Sequence, residues 1–164
     1  MAVQGSNIHL KLAGITGESQ ESNHKGEIDV LHYAESIHNL ASGGTGMGGG
    51  VGRAEYGDFS FTCKMEKSVP NLMKFCADHT VMATGVLSCT KVGGAGKSYN
   101  YLQVTLTNAR VSSVSYNGAM NSENDVSVTL NFEKIKTEYW EENATGGQGP
   151  SVYAEWSNKE NKAS

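Results

Sequence analysis

The chain has 164 residues, 20 glycines, 2 prolines and a formal net charge of −4. That length suits one domain with a buried core, and 38 % hydrophobic residues argues against disorder. Scattered Lys and Arg exclude a basic nucleic-acid surface, glycines without a three-residue period exclude collagen, and no apolar stretch approaches the ~20 residues that span a bilayer.

Residues 1–7 hold no basic region followed by an apolar core. The chain is therefore expected to be made in the cytoplasm without a secretory signal. Ile8, Leu10 and Leu12 then alternate with polar partners, the period of a strand with one buried face. Residues 28–40 form a second extended candidate, on which His32 and His38 could share a face if the strand is unbroken. A glycine tract follows, with Gly43, Gly44, Gly46, Met47, Gly48, Gly49, Gly50 and Gly52. Loops longer than about 12 residues in a compact domain are usually functional or disordered.

Phe59, Phe61, Cys63 and Met65 alternate again. Ser68 and Pro70 then read as a helix start, with Ser68 as the cap. Val69, Leu72, Phe75, Cys76 and His79 recur at spacings of three and four, so one short helix is expected to begin at Val69 and end at Asp78. Residues 81–91 are a further strand candidate, and Gly93-Gly94-Ala95-Gly96 looks like a hairpin connection. Leu102, Val104 and Leu106 alternate, then Val111 and Val114 follow after a change of phase. Asn117-Gly118 marks a turn. Val126, Val128, Leu130 and Phe132 give the clearest strand, and the odd step to Ile135 predicts a bulge or bend near Glu133-Lys134. Residues 146–150 are expected to separate a last strand, residues 151–156, from the body. Residues 157–164 are a polar tail, expected to fray.

The motifs of catalysis fail on their context. Gly96-Lys97-Ser98 ends like a phosphate-binding loop, yet Lys91 stands where the first glycine is required, and strand rather than helix follows. Gly44-Thr45-Gly46-Met47-Gly48-Gly49 fits a dinucleotide spacing by chance in so glycine-rich a tract, and no βαβ unit surrounds it. No GxSxG or HExxH occurs, and His9, His24, His32, His38 and His79 show no ligand spacing. Cys63, Cys76 and Cys89 lack a CxxC and read as buried free thiols. Asn143-Ala144-Thr145 matches a glycosylation acceptor that has no use without a secretory signal. No catalytic, cofactor-binding or metal residue is nominated. Strands that alternate apolar residues with Ser, Thr and Asn rather than with charge suggest a mainly β domain, a barrel built for association.

Several stretches in order carry a resemblance: Met1-Ala2-Val3, Gly17-Glu18-Ser19, Glu27-Ile28-Asp29-Val30-Leu31, Met47-Gly48-Gly49-Gly50, Asp58-Phe59-Ser60-Phe61-Thr62, Lys67-Ser68-Val69-Pro70-Asn71-Leu72-Met73, Val111-Ser112-Ser113-Val114-Ser115 and Val128-Thr129-Leu130-Asn131-Phe132. Over nearly its whole length the sequence resembles the haemolysin-coregulated protein (Hcp) family of the bacterial type VI secretion system. The resemblance implies a small β-barrel of two sheets with one flanking helix over residues 1–156. It implies hexameric rings stacked into the inner tube of a contractile injector, with no enzymatic activity and no cofactor. The implied partners are further copies of the chain, a VgrG-type spike, the contractile sheath and small effector proteins carried in the channel. Nucleic acid and membrane insertion are not among them. The chain would be secreted by that machine. A free ring acting as an effector carrier or chaperone is the alternative. The tract from Gly43 to Gly52 is expected to reach a neighbouring subunit or ring, and Ala34 or Ser36 to face the channel.

Overall fold

The structure, a computed structural model, describes residues 7–39, 53–94 and 96–163. The glycine-tract positions Gly43 to Gly52 lie outside the described residues. Among the described residues, eleven strands and one helix follow in order: β1 (Ile8–Leu12), β2 (Ile28–Ala34), β3 (Ile37–Asn39), β4 (Ala54–Tyr56), β5 (Phe59–Lys64), α1 (Ser68–Asp78), β6 (Met82–Val92), β7 (Ser98–Tyr116), β8 (Asp125–Asn131), β9 (Lys134–Glu142), β10 (Gln148–Ser157) and β11 (Lys162–Ala163).

A barrel closes through the order β7-β6-β1-β2-β5-β8, because β8 pairs back onto β7. Closure removes the free strand edges that an open sheet would present. The mainly β barrel of two sheets with one flanking helix is therefore the observed fold. Its core is the alternating set read from the sequence: Leu10, Leu12, Phe59, Phe61, Cys63, Val104, Leu106, Val126, Val128 and Leu130 are all buried. Each such aliphatic or aromatic side chain contributes roughly 1.5–3 kcal/mol by leaving water.

The long strand β7 explains the change of phase. Leu102–Thr107 pair with β9, whereas Arg110–Tyr116 pair with β8. Between them Asn108 takes a left-handed φ of 50°. Its Nδ2 donates to Glu133 Oε2 at 2.9 Å, and the Glu133 N–H donates to the Thr107 carbonyl at 3.1 Å. β8 and β9 are thus one bent strand running antiparallel to β7, and Phe132 and Glu133 form the expected bend. A second register shift between Val111 and Ser113 returns Val114 to the opposite phase.

The helix occupies its expected residues, and Val69 and Leu72 are its buried apolar anchors, with β7 beneath it. Two details differ. Ser68 is the first helical residue rather than the cap; its hydroxyl donates to Glu66 instead, and Lys67 at the cap position offers no side-chain bond. His79 leaves the apolar face: it is the exposed C-cap residue, with a left-handed φ of 58° that ends the helix.

Other expectations also shift. Residues 28–39 break at Glu35-Ser36 into β2 and β3, so His32 and His38 do not share an unbroken strand face. β3 pairs with β4, joining the two flanks of the glycine tract. Residues 148–150 belong to β10 and are not a separator; the connection is the short β9–β10 hairpin. In that hairpin Asn143 Oδ1 accepts from the backbone N–H groups of Thr145 and Gly147 at 3.0 and 2.9 Å, so the Asn-Ala-Thr sequence builds a turn. Residues 157–163, expected to be a loose tail, turn back so that Lys162 and Ala163 pair with Ser157 and Trp156.

Candidate assembly surfaces

On the outside of the barrel, strand register aligns small polar residues across four strands. Ala34 lies opposite Ser60, Ser60 opposite Thr129, and Thr129 opposite Ser113. The neighbouring row is His32, Thr62, Ser127 and Ser115. The period of two forces this pattern: with Phe59, Phe61 and Cys63 inside, Ser60 and Thr62 must point outward. The hydroxyls bond among themselves, Thr129 Oγ1 lying 2.7 Å from Ser112 Oγ and 2.6 Å from Ser113 Oγ. Ser112 also donates to Asp58 at 2.8 Å. Charged side chains flank it at both ends: Lys64 meets Asp125 at 2.7 Å at one, and Asp58 and Arg110 are exposed at the other. Ala34 belongs to this face. Ser36 lies beyond β2, where its carbonyl accepts the Gly57 N–H at 3.0 Å, so Ala34 and Ser36 are not on one strand.

A second surface is the wing formed by β9 and β10. It extends the sheet beyond β7, and among the described residues the far edge of β10 is paired only at Trp156 and Ser157. Val152 is 69 % exposed, Tyr153 62 % and Tyr139 45 %. Lys136 sits 4.6 Å over the Tyr153 ring and 3.1 Å from Glu138, and Lys134 pairs with Glu155. The tip of the wing is locked to the β6–β7 hairpin. A Cβ at Gly93 would stand 1.7 Å from the Gly146 carbonyl oxygen, and the Gly94 N–H donates to Glu142 at 3.1 Å.

A model of the type VI secretion system effector Hcp matches residues 9–139. A relative, protein hcp1 of Pseudomonas aeruginosa, is 34 % identical over 157 residues, covering 94 % of this chain and 96 % of its own length. The chain belongs to the Hcp family. Among solved structures, Hcp1 from Salmonella typhimurium superposes with a TM-score of 0.80 at 29 % identity, covering 96 % of this chain and 97 % of its own. A structure described as a type six secretion system protein reaches a TM-score of 0.88 at 22 % identity, covering 98 % and 100 %, and shows the shared fold. Hcp proteins are structural components of that secretion system.

Two groups of side chains in this Hcp chain have chemistry of their own. The thiols are free. Burial pushes the Cys63 thiol up to about 12 and also raises Cys89, so neither forms the thiolate a nucleophile needs. Cys76 is half-buried rather than fully buried. Among the described residues, no three His, Cys, Asp or Glu side chains are arranged to hold a metal ion, and no helix is long and apolar enough to cross a membrane. The second group escaped the sequence: His9 and His24 stack, ring centroids 4.4 Å apart and planes 4° apart. They are 15 positions apart in the chain with no local spacing between them, and only the turn that reverses residues 17–26 brings them together.

Proposed function

We propose that this chain is the structural subunit of the type VI secretion inner tube. Six copies close a ring, rings stack, and the tube is expelled with a VgrG-type spike by the contractile sheath. A closed ring needs two different complementary surfaces on each subunit. The exposed wing, with Val152, Tyr153 and the open β10 edge, is one such surface. The observation that carries the reading is the neutral face of Ala34, Ser60, Thr62, Ser113, Ser127 and Thr129, because a channel that must release what it carries needs a wall of short side chains without fixed charge. In this reading that face lines the channel, small effector proteins ride against it, Ala34 on the face and Ser36 just beyond it both face them, and the tract from Gly43 to Gly52 reaches a neighbouring subunit or ring.

Size-exclusion chromatography with negative-stain microscopy tests the assembly: rings of six subunits support it, and a monomer at all concentrations overturns it. Rings that never stack, even on a spike template, would favour the free effector carrier. Deleting residues 43–52 should leave the barrel folded and weaken stacking. Ala34→Lys or Ser36→Lys should reduce effector retention while rings still form; retention at the original level removes those residues from the channel wall.

A further inference from the structure

Residues 16–27, between β1 and β2, form a compact excursion on the barrel surface. Its own backbone bonds define it: the Gly17 N–H donates to Gly26 at 2.7 Å, Gly26 to Ser19 at 2.9 Å, and Ser19 to Glu27 at 3.0 Å. It meets the barrel through the His24 ring, flat against His9 of β1, and through the Glu18 N–H, which donates to Glu66 at 3.3 Å. Both imidazoles are withdrawn from water, His9 at 1 % exposure and His24 at 9 %.

Their hydrogen bonding is unequal. His24 Nδ1 lies 2.8 Å from Glu27 Oε2, and His9 Nε2 lies 3.4 Å from Asp29 Oδ1. Among the described residues, His9 Nδ1 is buried and has no hydrogen-bond partner. A neutral imidazole tolerates that, because one nitrogen needs no proton. An imidazolium carries an N–H on each nitrogen, so protonated His9 would bury a donor without an acceptor.

We infer that the His9–His24 stack is an acid-released latch. With His9 neutral the stack holds residues 16–27 against the barrel, and protonation of His9 in mildly acidic solution frees the excursion while the barrel stays closed. The groups facing the pair are Asp29 from β2, Glu21 and Glu27 from the excursion, and Ser88, which is opposite His9 on β6 and brings no charge. Tyr99 of β7 lines the same cavity of about 340 Å³ as His24 and Glu21. Asp29 acts electrostatically on Glu66, and Lys11 further along β1 is exposed. The three carboxylates favour a charged His9. Burial and then the neighbouring His24 outweigh them, and His9 is held below its ordinary value of 6.5. The sign follows. Below about pH 6.5 the released imidazole binds more protons than the docked one, so docking weakens as pH falls until the docked His9 also titrates. The latch requires no particular assembly state.

Hydrogen–deuterium exchange on the full chain tests it, at about pH 7.5 and about pH 5 after correction for intrinsic rates. The amides of Gly17, Ser19 and Gly26 should lose more protection on acidification than those of Phe61 and Val128. His9→Phe keeps a flat ring that cannot be protonated and should remove that difference. Equal loss in both regions, or the same pH dependence in His9→Phe, overturns the latch. Should His9→Phe fail to fold, ¹⁵N NMR of the His9 ring decides: a ring that becomes protonated with no change at Gly17, Ser19 and Gly26 overturns it equally.

Discussion

The two halves of the bent strand, β8 and β9, begin as equals and end differently. Both run antiparallel to β7, and the Asn108–Glu133 contact joins them. The free edge of β8 finds β5 and closes the barrel, so Val126, Val128 and Leu130 are fully buried. The free edge of β9 finds β10, whose own far edge, among the described residues, is paired only at Trp156 and Ser157. Only Ile135 of β9 is fully buried, and Tyr139 and Val152 remain in water. Alternation therefore reports a core only where the second covering layer is in the same chain. Past the bend the same alternating pattern builds a wing whose outer apolar residues stay exposed.

Substitutions can break that contrast, and the largest effect belongs to the barrel half. Phe61→Ala should remove about 3–5 kcal/mol of stability in urea denaturation, the usual cost of truncating a fully buried phenylalanine. A loss no greater than that of a wing residue would mean the barrel is not the stable half. Gly93→Ala comes next. The new methyl must displace the Gly146 backbone, and overpacking of this kind costs about 1–3 kcal/mol. Faster proteolysis at residues 143–147 should accompany it, because the wing tip would separate from the β6–β7 hairpin. Asn108→Ala keeps a left-handed backbone without the bond to Glu133, at about 1–2 kcal/mol. Unchanged denaturation would show that the bend does not depend on this contact. Tyr153→Ala is the smallest for the fold, under about 0.5 kcal/mol in the monomer. Its effect should instead be on the subunit concentration at which rings form in size-exclusion runs. A Tyr153→Ala chain that assembles like the parent would take that side chain out of the ring contact.

Much of this was legible in the chain. Ile8 to Leu12, Phe59 to Cys63 and Val126 to Leu130 announce strands because one face of each meets a core made by the same chain. The change of phase after Leu106 and the odd step from Phe132 to Ile135 mark the two sides of one bend. The order of the short motifs named the family where composition could not. The less legible parts lacked a local signature. Nothing near Ser68 says that its hydroxyl will turn to Glu66, and nothing in the polar residues after Trp156 announces their return to the sheet.

By itself, then, the sequence determined the mainly β barrel, the position of its one helix, the phase breaks and the family, because these rest on side-chain periodicity and on short ordered motifs. Only the tertiary structure decided that β8 closes the barrel while β9 leaves it, that Ala34 joins a four-strand hydroxyl face without Ser36, and that His9 meets His24. Each of those depends on which strand edges and faces meet through space, and strand register across non-neighbouring segments has no period that one stretch of sequence can carry.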